Sequence, residues 1–160
     1  MKGEAVDVAS RRLHARAFGS SAPDGAAGDG EALMRDRALP LVTRLAALTT
    51  SAATADLRQA SALRAVIEEY MDALLLYRGV VTAASLDPAG ESSEAAGLVR
   101  DATAALRDEL ARGTGSELDG RIRAASALGA VQAAVLEPSE FDPAMVRDVI
   151  AAAAVAILLS

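Results

Sequence analysis

The chain has no cysteine and no tryptophan, two tyrosines, two phenylalanines and a single histidine. Without cysteine there is no disulfide, no thiolate metal site and no cysteine nucleophile, which fits a reducing compartment, and a cytoplasmic location is expected. His14 has no second histidine to share a metal with, so it is expected to be an ordinary surface or packing residue. No G-x-S-x-G nucleophile motif occurs, and the glycines of GDGEAL lack the lysine of a phosphate loop. Glu68 and Glu69 are adjacent, so on a helix they point about 100° apart and cannot face one another as acid and base. No enzyme, no cofactor and no metal centre is expected. No apolar run reaches the ~18–20 residues of a membrane span, so no membrane partner is expected. The first residues, MKGEAVDVAS, include acids and no apolar core, which argues against a signal peptide.

Aromatic residues make up 2% of the chain but hydrophobic residues 52%, so the core must be built from Ala, Leu and Val. Such side chains favour closely approaching helices over sheets, and 160 residues suit one domain with a real core. The predicted fold is all-α, with five to seven helices.

The strongest helical signal is Ser61 to Arg78. Leu63, Val66, Ile67, Tyr70, Met71, Leu74 and Tyr77 recur at the i, i+3, i+4, i+7 spacing of one helix face. Ser61 is a candidate cap, Glu68, Glu69 and Asp72 are candidates for the solvent side, Leu75 and Leu76 are expected to be buried, and Gly79 offers an exit. Upstream, Glu31 to Thr50 is helical by periodicity, with Leu33, Met34, Leu41, Leu45 and Leu48 as core positions. Pro40 should kink that helix or start a second one. A loop is expected over 49–54. Downstream, Ser92 or Ser93 can cap a helix from Glu94 to Ala111.

Charge is uneven. In residues 1–20, Lys2, Arg11, Arg12 and Arg16 outnumber Glu4 and Asp7, giving +2; with −6 overall, the other 140 residues carry −8. An acidic body repels a phosphate backbone, so nucleic-acid contact would have to come from the first twenty residues. Ser20 to Gly30, SSAPDGAAGDG, has the composition of a flexible linker, bounded here as 21–30.

Val8 to Ser20, VASRRLHARAFGS, resembles the recognition helix that ends the helix-turn-helix of TetR-family transcriptional regulators. Ser10, Arg11 and the Phe18-Gly19-Ser20 corner fall in register. Ser21 stands where that pattern has lysine, and aromatic positions ahead of Phe18 differ. Tyr70 to Pro88, YMDALLLYRGVVTAASLDP, is similar to a stretch of the same family's ligand domain, matching at Tyr70, Leu74, Tyr77, Arg78, Gly79, Asp87 and Pro88. The resemblance implies a remnant of a recognition helix over 1–20, with Ser10, Arg11, Arg12 and Arg16 as DNA contacts, and a ligand-binding and dimerisation domain over 31–160. Only the last of the three DNA-binding helices has a counterpart after Met1, so the DNA-binding region is expected to be incomplete and DNA binding by this chain alone is doubtful. The resemblance also implies a small apolar ligand between the helices, for which Met34, Tyr70, Met71, Leu74 and Tyr77 are candidate lining residues and Arg78 a charge at the mouth.

The last two predicted helices are rich in small and apolar residues. Asp142-Pro143 is a strong helix start. From Val149 onward the final helix is apolar on nearly every side and must be buried all round. A symmetric four-helix interface with a second copy would bury it, with Ile122, Ala125, Gly129, Gln132, Val146, Ile150, Ala153 and Ile157 as contact residues; packing inside one chain is the alternative. Two functions fit these features. One is the sensing and dimerisation domain of a TetR-like regulator. The other is a helical homodimer that does not bind DNA and serves as a ligand-binding or protein-interaction module.

Overall fold

The computed structural model of the chain describes residues 24–86, 93–114, 117–137 and 142–160. Two units divide the chain, Met1–Gly30 and Glu31–Ser160, and the packing described below is that of the second. Six helices and no strand occur among the described residues: α1 (Asp24–Thr54), α2 (Ala60–Leu76), α3 (Arg78–Leu86), α4 (Glu94–Thr114), α5 (Glu117–Leu136) and α6 (Pro143–Leu159). The protein is all-helical, as its composition predicts.

The periodic face of α2 is the buried one. Leu63, Val66, Ile67, Tyr70, Met71, Ala73 and Leu74 are all buried, and α2 packs on α5 and on α6. α4 also packs on α5 and α5 on α6, and α3 touches both α2 and α5. Glu68, Glu69 and Asp72 are not simply solvated. Each is half-buried and meets an arginine: Glu68 the neighbouring Arg64 at 2.7 Å, Glu69 the Arg44 of α1 at 2.7 Å, and Asp72 the Arg147 of α6. The last pair is two-pronged, with Nη1–Oδ1 at 2.7 Å and Nη2–Oδ2 at 3.0 Å, so it fixes orientation as well as distance. Arg64 also reaches Asp148 at 2.8 Å. The Arg147–Asp72 and Arg64–Asp148 pairs bridge α2 and α6.

Several boundaries differ from those read in the sequence. Residues from Asp24 to Gly30, assigned to a linker, belong to α1; Ala26, Ala27 and Ala32 are strong helix formers, and extending an existing helix is far easier than nucleating one. Pro40 neither splits nor ends α1. It is exposed, where water can satisfy the carbonyl whose bond it forfeits. The expected loop over 49–54 is also helical. Thr49 and Thr50 turn their hydroxyls back to the carbonyls of Leu45 and Ala46, and Ala52 is buried, so packing overrides the weak propensity of this Thr-rich run. Leu33 is 52% exposed rather than a core residue, because the buried stripe of α1 runs through Ala38, Leu41, Leu45, Leu48 and Ala52. Ser61 does not cap α2. Gln59 holds the cap position without a side-chain bond. Gly79 is not the exit from α2 either. The chain breaks at Tyr77 and α3 starts at once, with Gly79 inside its first turn.

Two predicted caps are present. The Ser93 hydroxyl accepts from the Ala96 N–H at 3.1 Å, and Asp142 accepts from Ala144 and Met145 at 2.8 and 3.2 Å. Both satisfy donors that a helix start leaves open. The backbones of α4 and α5 come close at Gly120. A Cβ on Gly120 would lie 2.5 Å from the Ala111 carbonyl oxygen, so only glycine lets α5 pass there. At Gly79 an added Cβ meets nothing within 4 Å. Gly120→Ala is therefore expected to destabilise the fold by roughly 1–3 kcal/mol through overpacking, whereas Gly79→Ala should stabilise it by roughly 0.5–1 kcal/mol. Urea unfolding followed by circular dichroism measures both.

Candidate functional site

Six residues were expected to line a ligand pocket, and the structure distributes them over three environments. Tyr70, Met71 and Leu74 are fully buried in the core of α2. Met34 and Tyr77 are half-buried and pack against that core. Arg78 is exposed, and its guanidinium donates to the Leu136 carbonyl at 2.8 Å. That carbonyl belongs to the last turn of α5, where orphan acceptors and the helix dipole favour a cation. Arg78 thus ties the start of α3 to the end of α5.

Among the described residues, Tyr70 is the only fully buried large side chain that carries a polar group. Its hydroxyl is hydrogen-bonded to Thr103 of α4. The Thr103 hydroxyl also bonds to the Val99 carbonyl at 2.9 Å. Burial pushes the Tyr70 hydroxyl from 10.0 up to about 12, against a smaller downward pull from Thr103.

Thr103 also faces outward, into an open cleft of about 700 Å³ between α3, α4 and α5. Val81, Ala96, Val99 and Ala104 give this cleft an apolar floor, and Arg100, Asp101, Arg107 and Gln132 stand along its sides. Arg100 and Arg107 are two helical turns apart on α4, about 10 Å along its axis. A second open cleft, of about 660 Å³, lies between α1, α4 and α5 and is bordered by Thr49, Asp108, Arg112, Glu117 and Arg121. None of the six expected pocket residues lines either cleft. Periodicity could not find these walls, since a cleft floor of Ala and Val reads like any other helix flank.

The expected contact residues of the last two helices divide evenly. Ile122, Ala125, Gly129 and Ala153 are exposed. Gln132, Val146, Ile150 and Ile157 are half-buried; Ile150 and Ile157 pack on the core of their own chain, and Gln132 borders the larger cleft. The final helix is not enclosed on every side, for only Ala151, Ala154 and Leu158 of α6 are buried. Large apolar side chains of the last two helices stand open: Leu118 is 72% exposed, Ile122 57%, Met145 53% and Val149 64%. Leu118, Met145, Val149 and Leu159 were not among the expected contacts, although a step of three or four residues from Ile122 or Ala153 leads to each helix's outer face. Of the nine exposed large apolar side chains among the described residues, Leu118, Ile122, Met145, Val149 and Leu159 lie on α5 and α6, and Leu33, Leu39, Leu75 and Leu76 on α1 and α2.

Ser10, Arg11, Arg12 and Arg16 lie outside the described residues. Among the described residues no helix is long and apolar enough to cross a membrane. The chain matches no known protein family, no curated protein and no solved structure.

The Tyr70 proton makes a test of core integrity. The folded state holds it up to about 12 while the unfolded chain releases it near 10, so the stabilisation is complete below about pH 10 and is lost as pH rises towards 12. In a Tyr77→Phe background, where Tyr70 is the only tyrosine, tyrosinate absorbance should appear near pH 12 together with loss of helicity. Ionisation near pH 10 with the helices intact would mean that the hydroxyl reaches solvent.

Proposed function

We propose that Glu31–Ser160 is the effector-sensing and dimerisation body of a regulator of the TetR kind that the sequence resembles. The observation that carries this is the apolar outer face of α5 and α6, where Ile122 and Val149 stand more than half exposed next to small residues. In water such a face is unfavourable, at about 25 cal/mol per Å² of apolar surface left uncovered, and a second copy that covers it removes that penalty. The effector site is the cleft between α3, α4 and α5. Its apolar floor suits a small, mostly apolar molecule.

One helix connects the two surfaces. α5 borders the cleft through Gln132, packs into the core through Ala124, Leu128 and Val131, and presents Ile122 and Gly129 outward. A molecule that wedges the cleft displaces a rigid element to which the partner is attached. This is how binding at one surface biases assembly at the other.

Light scattering on the purified chain tests the assembly. A dimer at micromolar concentration is expected. Ile122→Glu and Val149→Glu each place a charge in the interface and should weaken association by ~100-fold or more, without change in helicity. A well-folded wild-type chain that stays monomeric at high concentration would refute the proposal.

A further inference from the structure

The outer strip of α5 consists of Leu118, Ile122, Ala125, Ser126, Gly129 and Ala133, all exposed and none charged. At 100° per residue these six fall within about 100° of the helix circumference. Their sizes are graded: the first two are large and the last four small. The midpoint of Leu118 and Ala133 coincides with that of Ile122 and Gly129 and with that of Ala125 and Ser126. If the strip is turned end over end about this point, each large residue lands on a small one.

Gly129 supplies an independent sign. A Cβ placed there meets nothing within 4 Å in its own chain, so the packing of one chain does not require glycine. Mid-helix glycine costs roughly 0.5–1 kcal/mol relative to alanine, and it lies on the outward strip. α6 repeats the grading at the same spacing, with Met145 and Val149 followed by Ala152, Ala153 and Ala156, all exposed.

Resting on the dimer proposed above, we infer that a second copy of this chain docks on α5 in one antiparallel register. The two-fold axis passes between Ala125 and Ser126, Ile122 fills the space over the partner's Gly129, and Leu118 covers the partner's Ala133. The strip is its own complement, which no unrelated partner would require. Parallel pairing would oppose Ile122 to Ile122 and leave a gap at Gly129. Charge-free packing of large on small side chains is what the core of a stable interface needs.

The chain has no cysteine, so engineered thiols report the register directly. Ile122→Cys and Gly129→Cys are prepared singly, checked for helicity and mass, mixed and mildly oxidised. The mixed 122–129 disulfide should form, and roughly tenfold faster than disulfides within either variant alone. In this register the two copies of residue 122 are offset by about 10 Å along the axis, beyond the ~4.4–6.8 Å Cα spacing of a disulfide. Ala125→Cys mixed with Ser126→Cys is a second pair that should link and keeps Gly129 intact. Preferential self-linking of Ile122→Cys would mean parallel pairing, and preferential linking of Ile122→Cys to Ala156→Cys would mean that α5 faces the partner's α6. Either result overturns the register while leaving the dimer. A monomeric wild-type chain would instead overturn the dimer and the register together.

Discussion

Burial of one face of α2 is the constraint on which the other helices depend. Of the largest fully buried side chains, Leu63, Ile67, Tyr70 and Met71 come from α2, more than from any other helix. Each contributes roughly 1.5–3 kcal/mol when taken out of water. α5 and α6 supply mostly smaller side chains, Ala124, Ala127 and Val131 beside Leu128 from α5, and Ala151 and Ala154 beside Leu158 from α6. Small residues let backbones come close, and Gly120 takes this to its limit against α4. Around the rim, Arg44, Arg64 and Arg147 bond to carboxylates of α2. Such half-exposed pairs add little energy, but the two-pronged Arg147–Asp72 pair sets the angle at which α6 crosses α2.

With α2 filled in this way, α5 and α6 have only one buried side each, and the apolar residues on their other sides need another partner. The proposed dimer follows from that surplus. The same geometry places α5 between the cleft and that proposed interface, which in this proposal makes the helix the route by which an effector would change assembly. The Tyr70–Thr103 hydrogen bond adds a polar link between the core and the cleft wall. Among the described residues the rest of the core is apolar, so movement of Thr103 would be felt by α2.

The sequence made the all-α architecture and the core face of α2 legible because period and burial coincide there: Leu63, Val66, Ile67, Tyr70, Met71 and Leu74 follow one stripe and all are buried. The caps at Ser93 and Asp142 were legible for the same local reason. Helix ends governed by long-range packing were not. Thr-rich residues 49–54 look like a loop until Ala52 is seen to be buried. Leu75 and Leu76 look like core, but they are 49% and 64% exposed, because the break at Tyr77 turns the chain before a neighbour can cover them. Tyr70, Met71 and Leu74, expected to line a pocket, are buried in the core and border neither of the two clefts described, because large side chains in an alanine-rich chain fill space. On the final helices, half of the expected contacts face inward, since a helix that is apolar all round gives no phase to choose from.

Concentration-dependent amide hydrogen exchange addresses the central claim, that the outer faces of α5 and α6 are covered by a second copy. The account predicts that exchange in α5 and α6 slows as the protein is concentrated from the nanomolar to the high micromolar range, while exchange in α2, already buried within one chain, does not change. Equal exchange in α5 and α6 at all concentrations, from a chain that remains folded, would contradict it.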